Sequence, residues 1–220
     1  MMKNFYFLPI FLLLSVTAFA TDDSRVILNP VAATQIDRCL PLGSGLKALQ
    51  LVTVRHKGDD ESVGIIKTKG VAENIYAVGD VKHVVLDSVR TTLQKCGYAL
   101  KNAEDSLQVS VIIDDFFAKS ENEGVVGKDK ATLSLQLILK VPGRDQTYQV
   151  EYGIEKTAKT TPFMKAKRFQ KLLNATLVDV MNQVAMSQTL VDTVRAGSQK
   201  VTPVENPGVH QIFDESEIDQ

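Results

Sequence analysis

The stretch from Gly79 to Asp114 constrains the fold most: an amphipathic helix, a glycine stop and a strictly alternating strand follow one another. Between Asp80 and Gly97, Val81, Val85, Val89 and Leu93 recur every fourth residue, and Val84, Leu86 and Cys96 widen the stripe. Lys82, Asp87, Arg90, Gln94 and Lys95 fall elsewhere, so the helix has one buried face. Asp80 is placed to accept from the first free amides, Lys95 lies in the last turn where the dipole favours a cation, and Gly97 supplies the left-handed residue that ends the helix. From Leu107 the period changes to two. Leu107, Val109, Val111 and Ile113 share one side of a strand and Gln108, Ser110 and Asp114 the other, interrupted only by Ile112. A helix and a strand that each carry one apolar face bury both by packing together, which is a two-layer solution.

Other segments read as elements added to that unit. Arg25 to Asn29 is a strand fragment ended by Pro30, and Val31 to Lys47 is a connecting arm. Leu49 to Arg55 is dense in leucine and valine, Val63 to Lys67 is a second short strand, and Gly70 to Gly79 is a connection into the helix. Asp115 to Asp129, with Phe116-Phe117, acids and two glycines, reads as a long loop at one end of the sheet. Leu133, Leu135, Leu137 and Leu139 then alternate, Pro142-Gly143-Arg144-Asp145 makes a turn, and Tyr148, Val150, Tyr152 and Ile154 answer on the next strand. These make a three-stranded antiparallel meander with the strand from Leu107. Thr161-Pro162 opens a second long helix carrying Phe169, Leu173, Leu177, Val180 and Val184, with a kink or break at Ser187-Gln188-Thr189 before a continuation to Gly197. The fold class predicted is α+β: a two-layer α/β sandwich, a largely antiparallel sheet packed against two helices.

Residues 1–20 read as a cleaved signal peptide. Lys3 is basic, Phe5 to Phe19 is apolar, and Ala18-Phe19-Ala20 precedes polar Thr21-Asp22-Asp23. The apolar run is shorter than the ~20 residues of a membrane span. An N-terminal arm (21–48), the sandwich domain (49–197) and a disordered acidic tail (198–220) follow, and the expected location is the periplasm or the exterior. The formal charge of about −2 left after residue 20 gives no footprint for nucleic acid. In an oxidising compartment, Cys39 and Cys96 either join the arm to the end of the central helix or leave Cys96 as a small buried hydrophobe.

The residues argue against catalysis. His56, His83 and His210 form no pair at ligand spacing, and Gly-x-Ser-x-Gly is absent. Gly124 to Lys128 lacks the length and hydroxyl of a phosphate loop, and the aspartates at 59–60 and 114–115 lack calcium-loop spacing. The expectation is therefore no enzyme, no metal and no cofactor. A surface carries more. Lys156, Lys159, Lys165, Lys167, Arg168 and Lys171 fall within sixteen residues that contain no acid, and they lead into a helix start where cations are disfavoured. With Phe163 and Met164 beside them, they would meet anionic lipid, lipopolysaccharide phosphates or an acidic partner, or form a solvated face. Phe116 and Phe117 are either a second contact or a core plug, and the acidic tail could fold back on the basic segment.

The order of elements, with Val26 to Pro30, the run Val52, Val54, Arg55 and Val63-Gly64, the helix ending Leu93, Gly97, Tyr98 and the strand Leu107 to Ile113, resembles the YajG-like family of bacterial envelope lipoproteins. A more distant likeness is to auxiliary lipoproteins of envelope transport systems. The resemblance implies an α/β sandwich facing the periplasm with no known enzymatic activity. Two features depart from the family pattern. No cysteine follows Ala20 to take a lipid, and Thr53-Val54 stand before Arg55 where an aspartate is usual. The function expected is that of a non-enzymatic accessory or adaptor protein binding another envelope component, an envelope protein first, with lipid or lipopolysaccharide as the alternative ligand.

Overall fold

A computed structural model describes residues 24–58, 62–68, 71–121, 127–159 and 165–199. The signal segment, Thr161 to Met164 and the tail after Gln199 lie outside the described residues. In chain order the elements are β1 (Arg25–Ile27), β2 (Leu49–His56), β3 (Ser62–Thr68), β4 (Val71–Val78), α1 (Val81–Lys95), β5 (Leu107–Glu121), β6 (Lys128–Lys140), β7 (Thr147–Lys159), α2 (Lys165–Ala185) and α3 (Gln188–Ser198).

The central helix forms as its caps dictate. Asp80 accepts from the Lys82 amide at 2.8 Å, and Gly97, at φ 86°, turns the chain so that its own amide reaches the Gln94 carbonyl and that of Tyr98 reaches Leu93, both at 3.0 Å. Val81, Val84, Val85, Val89 and Leu93 are buried, as the stripe requires.

The strands form one seven-stranded sheet in the order β1-β4-β3-β5-β6-β7, with β2 also on β5. β2 and β3 lie end to end on the same edge of β5, β2 alongside Leu107 to Ile113 and β3 alongside Ala118 to Ser120. Both pairings are parallel, as is that of β1 with β4, whereas β3–β4, β5–β6 and β6–β7 are antiparallel. The sheet is therefore mixed rather than largely antiparallel, and among the described residues three helices rather than two pack against it. The third arises at Ser187, whose hydroxyl accepts from the Leu190 amide at 3.1 Å and starts α3 as a separate helix.

Two further expectations are corrected. The supposed connection Gly70 to Gly79 contains β4, which forms a hairpin with β3. Only Ile75 of β4 is buried, so no alternation marks it. Of the supposed loop from Asp115 to Asp129, residues 115–121 are the second half of β5 and residues 128–129 open β6, while residues 122–126 lie outside the described residues. A bulge between Ile113 and Asp115 inserts one residue, which moves the buried set from Leu107, Val109, Val111 and Ile113 to Phe116, Ala118 and Ser120.

The N-terminal arm lies along α2, held by side-chain amides four and then eight residues apart. Gln170 accepts from the Ile27 amide at 3.1 Å, Asn174 accepts from Asn29 at 3.0 Å and Asn182 accepts from Asp37 at 3.0 Å. On the other side, the Val31 amide donates to the buried Ser88 hydroxyl of α1 at 3.0 Å. Cys39 and Cys96 then form a disulfide, with Cα atoms 5.2 Å apart, that ties the arm to the end of α1.

Candidate functional site

The basic segment is divided by the fold. Residues 156–159 end β7, an outer strand of the sheet, and residues 165–171 open α2, which lies over β6 and β7. Between them is a groove of about 370 Å³ with Lys156, Thr157 and Ala158 on the strand side and Arg168, Lys171, Leu172 and Ala175 on the helix side. Its floor is mainly apolar and its rim cationic.

Two of these cations are anchored within the fold. The Arg168 Nε donates to Asp129 Oδ2 at 2.9 Å, and Asp129 on β6 is 1% exposed. Lys156, on the helix-facing side of β7, pairs with Asp179 of α2. Lys159, Lys167 and Lys171 are exposed. Lys165 begins α2, and its side chain, like all of Phe163, lies outside what is described. Phe116 is buried under the helices, while Phe117, one residue on, is half-buried on the opposite face across from Thr132. The pleat separates this pair, and neither lines the groove. The sequence did not single out Asp129, Asp179, Leu172 or Ala175. Leu172 and Ala175, three apart on the helix that follows a basic cluster, are the signal that could have indicated an apolar wall.

Other polar groups lie elsewhere. Tyr98 and Tyr152 are buried, and burial pushes each hydroxyl up to about 12, Tyr98 further through its proximity to Tyr152 and Tyr152 less because of the Ser187 hydroxyl. They therefore stay protonated near neutral pH. At the bulge, Lys57 pairs with Asp114 at 2.5 Å, and burial raises the Asp115 carboxyl above the ordinary range while His56 opposes the rise. Among the described residues no three His, Cys, Asp or Glu side chains gather as a metal site. A shallower cavity of about 240 Å³ lies between Gln50, Arg90, Leu100 and Asn102. Among the described residues that line the β7–α2 groove there is no histidine, cysteine or carboxylate. What it offers is apolar surface, cations and the backbone of a sheet edge.

Fold and groove together define an α+β domain with helices over one face of a mixed sheet and a basic, apolar-floored cleft at its β7 margin. The chain belongs to the Lipoprotein_16 family of uncharacterized lipoproteins, whose model matches residues 44–193, in agreement with the resemblance to YajG-like envelope lipoproteins. Among solved structures, a Xanthomonas campestris protein of the DUF330 family is similar at a TM-score of 0.53 and 12% identity, over 78% of this chain and 99% of that one, which supports the fold alone. A minor lipoprotein from Acinetobacter baumannii is similar at a TM-score of 0.37 and 11% identity, over 71% of this chain and 94% of the other. No curated protein matches the chain. Family membership makes this an envelope protein of the exported kind. Both of its cysteines are taken up by the disulfide. No helix among the described residues is long and apolar enough to cross a membrane.

Proposed function

We propose that the protein is a non-enzymatic periplasmic accessory protein that binds another envelope component, a protein segment, along the β7–α2 groove. The observation that carries this reading is the coincidence of a sheet edge, an apolar floor and a cationic rim that includes the exposed Lys171 in one cleft. An extended segment can satisfy its backbone on a strand edge and its side chains in an adjoining groove. Supporting the compartment are the N-terminal segment 1–20 and the Cys39–Cys96 bond, which suits an oxidising environment. The test is photo-crosslinking in cells with probes at Thr157 and Lys171. A discrete envelope protein in the adducts supports the reading, and adducts no different from those of a probe at exposed Glu104 would sink it.

A second reading, an anionic lipid or lipopolysaccharide ligand, rests on the exposed Lys171 of the groove, with the exposed Lys167 one turn before it, above an apolar floor. Vesicles with and without anionic lipid separate the two. Preference for the anionic vesicles that vanishes in Lys167→Glu/Lys171→Glu supports lipid, and equal binding to both vesicles excludes it.

A further inference from the structure

The chain carries its own match to the groove. Among the described residues no strand pairs with the outer edge of β7. The Gly153 carbonyl points outward, accepting from the Gln183 side chain at 3.3 Å. Because β7 pairs with β6 from Thr147 to Lys159 without a register shift, the two-residue repeat turns the backbone groups of Glu155, Thr157 and Lys159 outward too. That half of the edge, beside the apolar floor, is a template for one more strand.

The C-terminal residues can reach it. The Gln199 carbonyl accepts from Arg144, in the β6–β7 turn, at 3.4 Å, so the chain leaves the described domain near the start of β7. From Thr147 to Ala158 the strand rises roughly 37 Å, and an extended chain leaving Gln199 covers that distance by about residue 210. Pro203 and Pro207, which cannot donate to a ladder, fall before that point. On that count of residues Val209 to Phe213, a stretch free of proline, would be the part able to reach the groove, and Asp214, Glu215, Glu217 and Asp219 follow it in sequence. Along α2 the wall passes from Ala175 and Leu172 to Lys171 and Arg168, and the exposed Lys167 stands one turn before Lys171. A chain running parallel to β7 thus sets apolar residues against the apolar wall first and acids against lysines second. Acids placed there would meet the first turns of α2, where the helix dipole favours negative charge.

We infer that residues 209–219 of this chain dock in the β7–α2 groove, parallel to the outer edge of β7, and occupy it until an envelope partner of the same apolar-then-acidic chemistry displaces them. The inference rests on the groove being a binding site, as proposed above. It is tested on the purified full chain with a photo-crosslinker in place of Thr157, irradiated at several protein concentrations and mapped by mass spectrometry. Adducts within one molecule to residues 209–213, at a yield independent of concentration, are expected. The yield should fall roughly tenfold when Asp214, Glu215, Glu217 and Asp219 are replaced by their amides, since several exposed ion pairs are lost together. Adducts only between molecules, or an unchanged pattern when the order of residues 209–219 is scrambled, would overturn it. Hydrogen exchange gives a readout without a bulky probe: the Thr157 and Lys159 amides should be protected in the natural chain and exchange faster in the scrambled one, and equal exchange overturns the docking. The measurements use purified protein alone, so their failure is distinct from a failure to capture an envelope partner in cells.

Discussion

The Arg168 guanidinium donates through Nε to the carboxylate of Asp129 at 2.9 Å, joining the first turns of α2 to the start of β6 where the carboxylate is 1% exposed. A charge so enclosed is poorly solvated, so removing one of its partners is costly. Arg168→Ala is expected to destabilise the fold by about 3 kcal/mol, read as a shift in the urea midpoint. If instead the loss is under about 0.5 kcal/mol, as for an exposed pair, the anchoring role is wrong. Binding experiments at the groove should therefore alter Lys167 and Lys171, which are exposed, before Arg168.

The disulfide spans 57 residues. In the chain-entropy model, closing a loop of that length stabilises by about 4 kcal/mol. Cys39→Ser/Cys96→Ser should lower stability by that order, and reductant should destabilise the natural chain but leave the double variant unchanged. A midpoint in the natural chain that is indifferent to reductant would contradict the bond.

Gly64 on β3 stands opposite Ala118 of β5, and a Cβ there would lie 2.9 Å from the Ala118 carbonyl oxygen and 3.0 Å from the Phe169 ring. The backbone atom cannot step aside without moving the strand. Gly64→Ala should cost roughly 1–3 kcal/mol as overpacking. Gly153→Ala, whose nearest neighbour would be at 3.5 Å, is the tolerated comparison in the same denaturation assay.

Tyr98 and Tyr152 titrate at about 12 in the fold, above their ordinary value of 10.0. The unfolded chain loses these protons first. Their contribution to stability is complete below pH 10 and is lost as pH rises from 10 to 12, by up to about 3 kcal/mol for each tyrosine. Unfolding midpoints across that window should fall less steeply in Tyr152→Phe than in the natural chain, and identical slopes would refute the assignment.

How far the sequence could be read depended on how local each signal was. The cap at Asp80, the stop at Gly97, the four-residue stripe of α1, the paired alternation of β6 and β7 and the break at Ser187 each act within a turn or a hairpin, so the residues alone specified them. β4 was hidden because both its faces are largely exposed; its extended form comes from pairing with β3 and β1, which are partners remote from its own pattern. The far half of β5 was hidden because one bulged residue at Asp114 inverted the parity of burial.

The sequence by itself determined the periodic elements and the concentration of cations between Lys156 and Lys171, since periodicity and composition are properties of neighbouring residues. Only the tertiary structure decided that β2 and β3 share one edge of β5, that Cys39 meets Cys96, that Phe116 and Phe117 part to opposite faces, and that the basic run splits across a strand and a helix to enclose a groove. Each of these depends on which distant segments pack together, and that choice is made by burial over the whole chain rather than by any stretch of it.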